Sequence, residues 1–298
     1  MRLLTNPGSN VPESAIARYD IVLARQSIVV DRVSHDTRKD IPLSVVDGWV
    51  ARAKEFPKVQ GSTAQDLVPI FLEALEKDPE LLVVMTSKRL IQSYHSAQAA
   101  AATVKSRVAQ RNSSIGIVDT LSTDLGAGLI TIAAGEAIRA GLPMKDIVAL
   151  LEAMAERGRF ALHVRDLLHP MKSGRASFLK AWMASVLQVR PLLGLADGDL
   201  RILGRVREKD DPIAELLAYF KERLPGRPRV WIGVVHGNEP ERATRCAELF
   251  GEHFDVAYSL IRPLSSSIYL YCGPGSLGVF LLPIDDLPWA LPTPPRFA

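Results

Sequence analysis

The chain has 298 residues, enough for one large or two ordinary domains, each with a real core. Hydrophobic residues make up 47% and charged residues 23%, which excludes a disordered chain. The net charge of +3 is small and scattered, without the aromatic and basic interleaving of a nucleic-acid binder. The two cysteines, Cys246 and Cys272, have no metal or CxxC spacing and give no disulfide framework, so a reducing compartment is expected. The start, Met1-Arg2-Leu3-Leu4-Thr5-Asn6-Pro7, is too short and broken for a signal peptide. No apolar run approaches a bilayer span, Leu125 to Gly135 being cut by Glu136. A cytoplasmic protein without integral membrane association is the expectation.

In chain order, Arg2–Thr5 reads as a short strand leading into a turn-rich loop, Asn6 to Pro12. Ile21–Leu23 and Ser27–Val30 read as strands and Ser44–Lys54 as a helix. Ser62 or Thr63 caps a helix running to Lys77, with Asp66 completing a capping box. Two back-to-back strand–loop–helix units follow and organise the chain. Leu81–Met85 is a buried strand that empties into Thr86-Ser87-Lys88, then a helix from Gln92 to Val108. Ile115–Val118 is a second buried strand, Asp119–Thr123 its polar loop, and a helix begins at Leu125. Such loops lie beyond strand carboxyl ends, where α/β sheets hold ligands; Ser and Thr there also simply cap helices. Pro143–Arg157 is an amphipathic helix, and the alternation predicts a mostly parallel sheet covered on both faces.

The second half changes character, with a boundary placed near residue 157, giving units 1–157 and 158–298. Phe160–Val164 is strand-like, and the basic turn Lys172-Ser173-Gly174-Arg175 leads into an apolar helix over Phe178–Leu187. Val189–Leu193 and Leu200–Leu203 flank an Asp197-Gly198 turn as paired strands. Asp211-Pro212 opens a helix, Val230–His236 is a strand, and Pro240–Phe250 is another helix. Ser267–Tyr271, a Gly-Pro-Gly turn and Leu277–Leu282 complete the pattern, and the five prolines from Pro283 onward predict an extended, surface-lying tail.

Little in the chain points to chemistry. Gly273-Pro274-Gly275-Ser276-Leu277-Gly278 matches GxGxxG, but an apolar run rather than a helix follows, so no dinucleotide site is expected. The six histidines show no metal spacing, and no GxSxG elbow nominates a nucleophile. His236 at a strand end reads as a structural residue. Lys172 and Arg175, with Arg190, Arg201, Arg205 and Arg207, either bind an anion or partner or are simply solvated. Spacing alone stops at a two-domain α/β binding protein or enzyme of unknown ligand.

The order of segments resembles the DegV family of bacterial fatty-acid-binding proteins across essentially the full length. Thr5-Asn6-Pro7-Gly8-Ser9-Asn10-Val11-Pro12 sits where that family has T-D-S-x-x-D-L-P, and Leu90 to Ala97 at its L-S-G-T-Y-Q-S-A. Ile117-Val118-Asp119-Thr120 with Gly126-Ala127-Gly128 is similar to I-D-S…G-x-G. Lys172 to Arg175 is similar to K-G-G-R, Arg190 to Leu193 to K-P-I-L, Arg205 to Arg207 to K-V-R, and Gly273 to Gly278 to G-P-G-A-L-G. The resemblance implies a two-domain DegV-like α/β fold, with a fatty acid's carboxylate held by the first domain and its tail buried in the second. It implies a binding subunit without chemistry or cofactor of its own, of a kind some members of which present the acyl chain to a fatty-acid kinase for phospholipid synthesis.

The departures fall on the head-group positions. Ile91 replaces the Ser of L-S-G-T-Y and Gln92 its Gly, Val59 replaces the first Thr of T-S-Q-P-S, and Tyr271-Cys272 replaces the His-Thr before G-P-G. A carboxylate losing about 1.5–3 kcal/mol per hydrogen bond needs compensation, so the expected head-group site comprises Ser62, Thr63, Gln92, Ser93, Tyr271, Gly273 and Gly275. Lys172, Arg175 and Arg207 are the expected anion or partner contacts. The sequence reads as a lipid-binding protein; the alternatives are a diverged regulatory or interaction module and, weakest, a small-molecule enzyme.

Overall fold

The structure, a computed structural model, describes residues 1–107, 112–174 and 189–297. Its first sheet joins β1 (Arg2–Thr5), β2 (Ile21–Leu23), β6 (Glu80–Met85) and β7 (Ser114–Asp119), all parallel, in the order β2-β1-β6-β7. Leu81 to Met85 is buried throughout, because β6 is central and covered on both faces; that is why the segment reads as an unbroken apolar run. From β1 the chain continues to β2 on one side, and β6 lies on the other. The carboxyl ends of β1 and β6 therefore form a topological switch point, the place where open α/β sheets leave a crevice.

Helices α3 (Ala64–Lys77) and α4 (Ser93–Arg107) cover one face of this sheet and α5 (Leu125–Arg139) the other. The capping-box alternatives resolve to Thr63: its side chain accepts from Asp66 N–H while the Asp66 carboxylate accepts from Thr63 N–H. Nearly every residue from Leu125 to Gly135 is fully buried, because α5 is packed between the first sheet and a second one. Gly128 admits the loop after β1, since a side chain there would collide with the Ser9 carbonyl.

The second sheet contains β8 (Arg159–His163), β9 (Val189–Ala196), β10 (Asp199–Arg207), β11 (Arg229–His236), β12 (Asp255–Pro263) and β13 (Leu277–Pro283), in the order β10-β9-β8-β13-β11-β12. Among the described residues only the β11–β12 pairing of this sheet is parallel, so the sheet is mixed. Helix α6 (Met144–Arg157) packs on β7 and β13. Helices α8 (Pro212–Arg223) and α9 (Pro240–His253) cover the sheet's far face. One apolar core runs from Leu3 and Val118 through α5 and α6 to Trp231, Tyr269 and Leu282, joining both sheets. The residues after β13 lie over this core without regular structure, Phe297 meeting Tyr19 edge to face with ring centroids 5.8 Å apart.

Several elements go beyond the sequence reading. β3 (Gln26–Val30), expected as a strand over Ser27–Val30, pairs with the unexpected β4 (Val33–Asp36) and β5 (Lys58–Gly61) in a separate antiparallel sheet. Ser266–Cys272 is a helix (α10), lying against α2 (Leu43–Arg52) and the short α7 (Leu168–Ser173). The apolar helix expected over 178–187 lies outside the described residues, as does Arg175.

Candidate functional site

At the switch point, the loops after β1, β6 and β7 are bonded into one frame. Asn6 is the hub: its carboxamide accepts from Thr86 N–H at 3.1 Å and donates to Thr86 Oγ1 at 3.1 Å and Gln26 Oε1 at 2.9 Å. Ser87 N–H donates to the Ser122 carbonyl at 2.8 Å, and its hydroxyl donates to the Gly198 carbonyl at 2.7 Å, fastening the β9–β10 turn of the second sheet. The two hydroxyl-rich loops do meet, as their positions suggested, but several of their hydroxyls are spent on this frame. The α5 cap is Asp124, not a Ser or Thr.

Asp124 stitches the halves together. It is fully buried, with φ +49° and ψ −141°, and its carboxylate accepts from Asn10 Nδ2 at 2.6 Å, Leu125 N–H at 3.0 Å, Ser265 N–H at 3.0 Å and Ser265 Oγ at 2.9 Å.

Beside this frame a cavity of about 120 Å³ opens between the two sheets. Val59 of β5 with Leu90 and Ile91 before α4 form one wall; Phe160 and Leu162 of β8, Leu193 and Leu195 of β9 and Leu200 of β10 form the other. Ile268, Tyr271 and Cys272 of α10 close it, with Gln26, Thr86, Thr123, Ser173 and Ser267 among its polar points. Among the described residues no charged side chain lines it. Burial pushes the Cys272 thiol up to about 12, the nearby Asp124 carboxylate adding to the effect, so this sulfur stays protonated and behaves as an apolar wall atom.

Of the seven expected head-group residues, the structure brings Tyr271 into this cavity, where its hydroxyl accepts from Val59 N–H at 3.2 Å. Ser93 is fully buried beneath Gly61 and its hydroxyl has no hydrogen-bond partner among the described residues. Ser62, Thr63 and Gln92 line a neighbouring groove; the Ser62 hydroxyl donates to the Arg25 carbonyl and the Thr63 hydroxyl is held by Asp66 at 2.7 Å. Gly273 (φ +74°) and Gly275 (φ +71°) form the turn after α10 and lie against His169 and Arg165. Val59, Ile91, Tyr271 and Cys272, four of the five head-group positions where the sequence departs from the family pattern, line this one cavity, while the fifth, Gln92, lines the neighbouring groove.

Away from the cavity, Lys172 Nζ lies 3.4 Å from the Val50 carbonyl, and Arg207 is exposed at the end of β10. His236 is structural as expected, its Nδ1 accepting from Glu239 N–H at 3.2 Å. His163 is buried at the end of β8, and burial, aided by the Arg242 and Arg190 charges, lowers its pKa to about 4. Thr86 and Thr123 lie on the two loops the sequence singled out, whereas Gln26, Ser267 and the β8–β10 wall escaped the sequence reading. The alternating pairs Phe160/Leu162 and Leu193/Leu195 were the available signal, each pair presenting one face of a strand.

The fold and the cavity define an α/β protein of three sheets with a largely apolar site, uncharged among the described residues, where they meet. The profile of the DegV family, described as uncharacterised proteins, matches residues 1–283. The chain therefore belongs to the DegV family. It is 26% identical to a DegV domain-containing protein of Streptococcus pyogenes, over 94% of this chain and 97% of that one. It is 22% identical to a protein of Thermotoga maritima named a fatty acid-binding protein, over 93% and 96% of the two chains. Among solved structures, a DegV family protein from Thermus thermophilus described for fatty acid binding superposes with TM-score 0.85 at 22% identity, covering 95% of this chain and 99% of that one. A stearic acid-binding protein from Eubacterium ventriosum gives TM-score 0.81 at 17% identity, covering 95% and 98%. Among the described residues no helix is long and apolar enough to cross a membrane.

Proposed function

We propose that this protein binds one single-chain lipid, a fatty acid or a derivative of one, with its tail in the cavity between the two sheets. The observation that carries this reading is the cavity itself, apolar on both walls and free of charge among the described residues, in a fold whose relatives are described as fatty-acid binders. Burying a chain of about sixteen carbons at ~0.8 kcal/mol per methylene is worth on the order of 10 kcal/mol before association costs. A cavity of 120 Å³ is smaller than the ~150 Å³ that accommodates benzene, so uptake of a long chain requires its walls to part.

The role is that of a carrier rather than a catalyst. Presentation of the held chain to a separate acyl kinase for phospholipid synthesis extends this reading and rests on family resemblance. Native mass spectrometry of the purified protein, with solvent extraction of anything bound, tests the binding. A stoichiometric acyl lipid is expected. An empty protein that takes up neither palmitate nor oleate overturns it and favours a regulatory or interaction module.

A further inference from the structure

Val59, Leu90 and Ile91 form a wall with two sides. One side faces the apolar cavity; the other faces a groove of about 540 Å³ that also carries Lys88, Arg89, Gln60 and Gln92. The charge balance of the two spaces is opposite. The cavity has no charged lining residue, whereas the groove has two cations and no acidic lining residue among the described ones. Lys88 is half committed, its Nζ 3.6 Å from Asp119 and 5.6 Å from the centre of the Tyr94 ring. Arg89 is exposed and forms no ion pair with a described residue.

A free carboxylate at the cavity end of this wall would give up water for isoleucine and valine side chains, with no cation to pair with it. An ester in the same place is neutral and loses much less. The charge of a lipid held here therefore belongs several atoms further out, on the groove side. We infer that the ligand is a single-chain glycerophosphate lipid: its acyl tail lies in the cavity, its ester at the Val59–Ile91 wall, and its phosphate monoester between Lys88 and Arg89. A phosphate carries up to two negative charges and can engage both cations, where a carboxylate satisfies one. Gln60 and Gln92 also line the groove, and their carboxamides can hydrogen-bond a glycerol hydroxyl. This inference rests on the proposed lipid-binding function and names the lipid class.

The test is a titration of the full chain, stripped of bound lipid, with 1-oleoyl-glycerol 3-phosphate, 1-oleoyl-glycerol and oleate, followed by calorimetry. The glycerophosphate lipid should bind about tenfold or more tighter than either of the others. The Lys88→Glu/Arg89→Glu variant should lose that preference while keeping its affinity for 1-oleoyl-glycerol, which also shows that the variant is folded. Oleate binding as tightly as the glycerophosphate lipid, or a preference that survives the double charge reversal, overturns the inference and leaves the lipid-binding function standing. Failure of all three lipids to bind overturns both.

Discussion

The N–H of Val59 donates to the Tyr271 hydroxyl at 3.2 Å, across 212 positions of sequence. It fastens β5, outer strand of the small antiparallel sheet, to α10 at the mouth of the cavity, with the Phe56 and Tyr271 rings 6.1 Å apart beside it. Tyr271→Phe removes the acceptor and leaves a strand N–H unmatched. The expected cost is about 1 kcal/mol in urea denaturation. No change in midpoint would show that water replaces the hydroxyl at no cost.

Polarity at the cavity wall sets how well a free carboxylate is tolerated. Val59→Thr together with Ile91→Ser places two hydroxyls where the cavity wall now has two alkyl side chains. Each hydrogen bond regained to a charged carboxylate is worth about 1.5–3 kcal/mol, so palmitate affinity should rise roughly tenfold or more per hydroxyl. Isothermal titration of the double variant decides it; equal or weaker palmitate binding would show that the head group lies elsewhere.

Asp124 combines a demanding backbone with demanding bonding. Its φ of +49° with ψ of −141° is a region that glycine alone enters freely, and four donors converge on its carboxylate. Asp124→Ala strips the acceptor and keeps the backbone cost, and should lose about 3–5 kcal/mol. Asp124→Gly strips the same acceptor but relieves the backbone, and should recover about 1–2 kcal/mol of that loss. Thermal unfolding of both variants separates the two contributions.

His163 gives the fold an acid weakness. Its pKa falls from 6.5 unfolded to about 4 folded, so the unfolded chain takes up the proton first. Stability is therefore full above pH 6.5 and is lost as pH falls through about 4, by about 3 kcal/mol from this residue. His163→Leu should flatten the stability curve across that window, read from denaturation midpoints at pH 7, 5.5 and 4. An unchanged slope would place the acid sensitivity in other groups.

Much of the architecture was legible because it is written in long, strongly patterned segments. β6, α5, α6 and β11 bury one or both faces completely, and their apolar runs and periodicities say so. The small sheet was hidden for the opposite reason. β4 is Val33-Ser34-His35-Asp36, largely exposed and polar, and becomes a strand only because β3 offers it a register. The helix at Ser266–Cys272 is short and rich in Ile and Tyr, and its helical form depends on packing against α2 and α7. The site was half legible. Resemblance pointed to the positions of Val59, Ile91, Tyr271 and Cys272, and they converge. Ser62 and Thr63 carry the right oxygen chemistry, but local bonds to Arg25 and Asp66 engage it, and no sequence pattern distinguishes a cap from a ligand contact.

The place of β13 in the second sheet sets the order in which the protein can be completed. This strand is made after every other strand of the sheet, yet it lies in the middle, hydrogen-bonded to β8 on one edge and β11 on the other. Until residues 277–283 leave the ribosome, β8-β9-β10 and β11-β12 are two fragments with facing unpaired edges. Such edges recruit strands from other chains, and pairings this distant in sequence form slowly. The nascent protein is thus most exposed to aggregation between the completion of β12 and the emergence of residues 277–283, and the apolar cavity, whose far wall is β8 to β10, closes late.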